Sequence, residues 1–117
     1  MRKIFISDVH MLGNRDPRTQ ILAKLISEND AEFFFVGDVF DLWVGNSPRF
    51  LEEYADVVKA LEGKKFFLID GNHDFSFSIG DVVSSRVLES NFLGGQAFIC
   101  HGDEFTGEKL FRFIRRL

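Results

Sequence analysis

Four short apolar runs, each delivering into a block of carboxylates, imidazoles or a carboxamide, limit this chain to few architectures. Ile4-Phe5-Ile6-Ser7 leads into Asp8-Val9-His10, and Phe33-Phe34-Phe35-Val36 leads into Gly37-Asp38-Val39-Phe40-Asp41. Phe66-Phe67-Leu68-Ile69 leads into Asp70-Gly71-Asn72-His73-Asp74, and Ala97-Phe98-Ile99-Cys100 leads into His101-Gly102-Asp103. Runs of this length, rich in aromatic and branched side chains and bounded by glycine and polar residues, read as buried strands. Open α/β sheets bind ligands beyond the carboxyl ends of their parallel strands. The four blocks would then gather along one rim of the sheet, as a metal-dependent hydrolase requires.

Helix signals fill the gaps between the runs. Asp16-Pro17 reads as an N-cap followed by proline in the first turn, and Ile21, Leu22, Leu25 and Ile26 are expected on one buried face, closed by Asn29-Asp30. Ser47-Pro48 repeats the start signal, with Phe50, Leu51, Tyr54, Val57, Val58 and Leu61 as the stripe and Gly63 as the stop. Strand-helix-strand-helix-strand implies parallel strands joined by right-handed crossovers, an α/β fold. Further on, a short helix is expected near Asp81-Val82-Val83, and Leu93-Gly94-Gly95 reads as the turn of a hairpin. A last helix is expected from Thr106, with Leu110, Phe111, Ile114 and Leu117 on one side and Arg112, Arg115 and Arg116 near its end.

With 117 residues the chain is expected to form a single domain over residues 1–117. Its fifteen Phe cluster in the strands, which suits a sheet buried on both faces. A net charge of −4 argues against nucleic acid as a partner, because such binding neutralises phosphates with Lys and Arg. Bound divalent cations could still make an acidic cleft attractive to an anion. One cysteine excludes an intrachain disulfide, and no run approaches the roughly 18 apolar residues of a membrane span. The cytoplasm is therefore the expected location. The arginines near the end could meet an anionic lipid surface, or simply suit a helix C-terminus.

Each block carries chemistry only in combination. In extended chain Asp8 and His10 point the same way and can share a cation, although a loop-capping aspartate beside an exposed histidine looks alike. Asp38, at its strand end, can bridge two ions through its two oxygens. Asp41 either orients a ligand by hydrogen bonding or caps a turn. Asn72 offers a neutral carbonyl oxygen, and His73 can donate a proton or stabilise charge on a phosphoryl oxygen, with Asp74 placed to orient its ring or raise its pKa. His101 is the candidate ligand of the last block, whereas Cys100, facing the other side of its strand, reads as a small buried hydrophobe. Oxygen and nitrogen donors without a thiolate suit Mn²⁺, Fe, Zn²⁺ or Mg²⁺. Two such ions could hold a hydroxide for in-line attack at phosphorus.

In this order and after these strands, the blocks resemble those of the calcineurin-like metallophosphoesterases. The resemblance runs over residues 4–105 and implies an α-β-β-α sandwich. It also implies a dinuclear metal centre, with manganese favoured. Carried over block by block, Asp8 and His10 would bind one metal, Asp38 would bridge, and Asn72 and His101 would bind the second. His73, backed by Asp74, would act on the phosphoryl group. Gly37-Asp38-Val39-Phe40-Asp41-Leu42-Trp43-Val44-Gly45, Gly71-Asn72-His73-Asp74-Phe75 and His101-Gly102-Asp103-Glu104 are most similar to the branch that hydrolyses UDP-2,3-diacylglucosamine in lipid A synthesis. That likeness implies a small phosphorylated substrate, a nucleotide-linked lipid, met at the periphery of the inner membrane. Another small nucleotide ester, or a non-catalytic metal-binding module, are the alternatives. The family's later Gly-His-x-His block does not follow Asp103, and the three histidines are already assigned. The C-terminal half of the sandwich would then be missing, because the chain is a piece of a longer product, is completed by a partner chain or its own dimer, or is a degenerate enzyme. If 117 residues are the whole protein, a homo-oligomer or partner chain is expected to cover a Phe-rich sheet face.

Overall fold

The computed structural model of the protein describes residues 2–92 and 95–101. Its elements are β1 (Arg2–Ile6), α1 (Pro17–Glu28), β2 (Ala31–Val36), β3 (Trp43–Val44), α2 (Pro48–Glu53), α3 (Ala55–Leu61), β4 (Lys65–Ile69), β5 (Asp74–Phe75), β6 (Ser78–Ile79), β7 (Val82–Val83), β8 (Val87–Phe92) and β9 (Gly95–Cys100). Parallel strands in the order β1-β2-β4 form the main sheet, with Ile4, Phe33 and Phe66 on one rung and Phe5, Phe34 and Phe67 on the next. The expected α/β alternation is what the first three runs build.

Alternation along the strands divides the apolar side chains between two faces. Ile6, Phe33, Phe35 and Leu68 pack with Leu22 and Ile26 of α1 and Val57 and Leu61 of α3 into one core. Each such side chain stabilises by roughly 1.5–3 kcal/mol when fully buried. On the other face Phe5, Phe34 and Phe67 stack, with ring centroids 4.6 and 4.8 Å apart. One lysine stands over each of two rings: Lys3 over Phe34 and Lys65 over Phe67. Both lysines pair with Glu32. Phe34 is fully buried in this arrangement, while Phe5 remains 44% exposed.

Several local expectations give way to packing. α1 starts at the Asp16 cap as expected, but it buries Thr19, Leu22 and Ile26 and leaves Ile21 69% and Leu25 39% exposed. Neighbouring helix residues stand about 100° apart around the axis, so Ile21 turns away from the sheet that Leu22 faces. The helix expected after Pro48 is two pieces. Tyr54 interrupts it, at φ −116° and ψ 23°, because its hydroxyl donates to the Met11 carbonyl at 2.8 Å and its ring packs on Phe40 and Trp43. Leu51, in the piece before that break, lies exposed, and Ser47 makes no side-chain cap bond.

No helix forms at Asp81-Val82-Val83. Ser78 and Ile79 pair antiparallel with Val83 and Val82, around Gly80 at φ 59°. The fourth run is also not a strand of the main parallel sheet. β9 pairs antiparallel with β8, as the expected hairpin does, and Cys100 is half-buried. Leu93 and Gly94 of its turn lie outside the described residues, as do Asp103 and the helix expected from Thr106 with Arg112, Arg115 and Arg116. No helix among the described residues is long and apolar enough to cross a membrane.

Candidate metal centre

The β1–β2 ladder continues beyond both strands. Asp8 N donates to Gly37 O at 3.1 Å, His10 N to Asp38 O at 3.0 Å, and Met11 N to Val39 O at 2.9 Å. Asp8, His10 and Asp38 nevertheless have φ of 57°, 53° and 53°. Left-handed backbone is uncommon for residues with a Cβ and persists only where its surroundings hold it. The extended Asp8-x-His10 geometry expected from the sequence is thus replaced by a turn, which still brings Asp8 Oδ1 and His10 Nε2 to 4.0 Å.

Asp38 is the centre of the cluster. Its carboxylate is almost fully buried, and Oδ1 accepts from the His73 backbone N–H at 2.8 Å. Oδ2 lies 3.3 Å from His101 Nε2 and 4.0 Å from His10 Nε2. The Asn72 carboxamide lies against the same carboxylate, where its nitrogen, assigned to that side, donates to Oδ2 at 2.5 Å and to Oδ1 at 3.0 Å. Two compact donor groups share this one residue: Asp8, Asp38 and His101, and His10, Asp38 and His73. His101 Nε2 is also 3.9 Å from Asp8 Oδ1, and Ser7 Oγ donates to Asp8 Oδ2 at 2.6 Å.

Main-chain carbonyls set the histidine tautomers. His101 Nδ1 faces Val36 O at 3.0 Å, and His73 Nδ1 faces Asp41 O at 3.0 Å. A carbonyl only accepts, so both Nδ1 atoms carry the proton and both Nε2 lone pairs are left for a ligand. His10 has the Asp41 carboxylate 3.6 Å from its Nδ1, with its Nε2 turned to Asp38. His10 and His73 meet edge to face at 5.0 Å.

Asp74 has a different role from the one its place beside His73 suggested. Its Oδ1 accepts from the backbone N–H groups of Asp38 at 2.7 Å and Gly71 at 3.1 Å, and Oδ2 from those of Val39 at 2.9 Å and Phe40 at 3.1 Å. The carboxylate ties the loop after β4 to the loop after β2, and the His73 ring is held by Asp41 instead. Burial pushes the Asp74 carboxyl up to about 6. The amides of Phe40, Asp38 and Gly71 pull it back, and the nearby Asp38 charge adds to the rise.

Two glycines make this approach possible. A Cβ on Gly71 would strike the backbone nitrogen and Oδ1 of Asp38, and one on Gly37, at φ 80°, would strike the His101 ring. Gly37 and Gly71 are therefore required by close approach, and Gly37 also by its left-handed backbone.

Carboxylate oxygens and imidazole Nε2 atoms, converging with their lone pairs inward and without a thiolate, fit hard or borderline divalent cations. Asp8, His10, Asp38 and His101 could hold them, Asn72 could add its carboxamide oxygen, and His73 faces the same space. Ser7, which steadies Asp8, and the carbonyls of Val36 and Asp41 are functional groups that the blocks alone do not point to. A main-chain acceptor leaves no mark in residue identity.

Residues 1–116 match the profile of the calcineurin-like phosphoesterase family. Among curated proteins, the chain is similar to the UDP-2,3-diacylglucosamine hydrolase of Shewanella baltica (strain OS185), 30% identical over 130 residues that cover 100% of this chain and 54% of the relative. It is likewise similar to the protein of that name from Shewanella pealeana (strain ATCC 700345 / ANG-SQ1), 30% identical over 131 residues, with 98% and 54% covered. The chain spans about half the length of these relatives.

Proposed function

Since the chain belongs to the calcineurin-like phosphoesterase family, we propose that it carries the metal-binding half of a hydrolase acting on a phosphoester or pyrophosphate bond. The observation that supports this most is the position of Asp38, shared by the two donor groups. One carboxylate with two oxygens can serve two cations at once. A bound pair of divalent cations, manganese being favoured, would supply charge neutralisation on the phosphoryl oxygens and activation of the attacking water.

The chain's own residues do the rest. Asp38 is oriented by the His73 amide, so its Oδ2 stays directed at His10 and His101. His73, with its Nδ1 proton held by the Asp41 carbonyl, keeps Nε2 toward the site and acts on the phosphoryl group. Asp74 fixes the two loops that carry Asp38 and His73 and does not itself touch the reacting atoms.

The name shared by the relatives favours a nucleotide-linked diacyl sugar as the substrate, met at a membrane surface from the cytoplasmic side. Completion by a second copy or a partner chain belongs to the same reading. Turnover of bis(p-nitrophenyl) phosphate and of UDP-2,3-diacylglucosamine, with and without Mn²⁺, tests it. We expect Mn²⁺-dependent release of UMP from the second substrate and no turnover by Asp38→Ala. Turnover that survives a chelator, or survives Asp38→Ala, would overturn the proposal.

A further inference from the structure

We propose that Asp16 and Arg18 are a positioning pair for the ligand loop that carries Asp8 and His10, a role that rests on the metal-centre reading. The loop leaves β1 with left-handed backbone at both ligands. Asp16 stands at the start of α1 and reaches back to the far end of this loop, where Oδ2 accepts from Leu12 N at 2.9 Å. Its Oδ1 accepts from Arg18 N at 3.0 Å as the helix cap.

Arg18 closes the other end. Its Nε donates to both Asp16 oxygens, at 3.2 and 3.0 Å, and its Nη2 lies 2.9 Å from Oδ2. The remaining nitrogen, Nη1, donates to Val9 O at 3.0 Å, the carbonyl between Asp8 and His10. One ion pair thus spans Val9 to Leu12, mounted on a helix whose Leu22 and Ile26 are buried.

Three features favour positioning over simple capping. The cap needs only the Asp16 oxygen on Arg18 N, so the Arg18 bond to Val9 adds nothing to the helix. All three nitrogens of the fork are used: guanidinium geometry supplies the Asp16 and Val9 bonds together, which a single ammonium cannot reproduce. The pair also keeps its charge. Hydrogen bonding from the Arg18 side chain, then from the Leu12 amide, lowers the Asp16 carboxyl to about 2.

Mn²⁺ affinity of the whole chain, read by the loss of the free-ion electron paramagnetic resonance signal, tests the pair in Asp16→Asn and Arg18→Lys. Asparagine still caps a helix, and lysine keeps the charge, so both variants should fold with thermal midpoints close to that of the parent. We expect each to bind Mn²⁺ about tenfold more weakly, the scale on which residues supporting metal ligands act. The metal-free variants should also show displaced backbone amide resonances at His10 and Met11. Parent-like affinity in both variants overturns the role, even if their midpoints fall. A parent chain that takes up no Mn²⁺ overturns the metal-centre reading and this role with it.

Discussion

His101 Nε2 lies 3.3 Å from Asp38 Oδ2 while its Nδ1 is held by the Val36 carbonyl at 3.0 Å. The imidazole that ends β9 is thereby fixed to the backbone of β2 and aimed at the carboxylate that follows β2. Gly37 leaves the space for the ring. A strand outside the main sheet thus contributes to a site built on that sheet's rim. The chemistry depends on how closely the loops approach.

Gly71→Ala should damage the site from a residue with no functional group. The added methyl meets the Asp38 backbone and Oδ1 and approaches Asp74 Oδ1 at 2.9 Å. Overpacking of this kind costs about 1–3 kcal/mol. Urea unfolding should show that loss, together with weakened Mn²⁺ uptake. A variant with parent stability and uptake would show that the loops are loose.

Asp74 should make the metal-free protein less stable as pH rises through weak acidity. Its carboxyl is raised from 3.8 to about 6, chiefly by burial. The folded state then binds more protons than the unfolded state between about pH 4 and pH 6. Stability attributable to this residue is fullest below about pH 4 and falls until about pH 6. Two pKa units correspond to roughly 3 kcal/mol at most. A ¹³C carboxyl titration in a chelator should find a midpoint near 6, and one at or below 4 would contradict the account. Asp74→Asn removes the titration but sets an amide N–H₂ against backbone donors, so it should lose stability by about 1–3 kcal/mol.

Helix α1 offers an internal comparison. Ile26 is fully buried and Ile21 is 69% exposed. Ile26→Ala should cost about 2–5 kcal/mol, while Ile21→Ser should shift stability by no more than about 0.5 kcal/mol. Chemical denaturation at low protein concentration measures both. A large loss at Ile21 would mean that another surface covers it.

Much of this was legible in the sequence where one local pattern dominated. The first three runs built parallel strands because their length and bounding polar blocks permit little else, and Asp16-Pro17 began α1. What the sequence concealed was decided by distant partners. Tyr54 breaks a continuous apolar stripe because Met11 offers its hydroxyl an acceptor. Asp74 looks like a partner for the adjacent His73, yet three amides from the loop after β2 and one from its own loop occupy its oxygens. Val82 and Val83 suit a strand as well as a helix, and Gly80 settled the matter by allowing a tight turn. The donor types of the blocks were legible in the sequence, whereas their grouping around Asp38 needed the turns at Asp8 and His10.

The most direct test is an anomalous difference map from crystals soaked in Mn²⁺. Two peaks are expected flanking the Asp38 carboxylate, one beside Asp8 and His101 and the other beside His10, with His73 facing the space between protein and substrate. A map without a peak in bonding distance of Asp38, or with manganese only at other acidic residues, would contradict it.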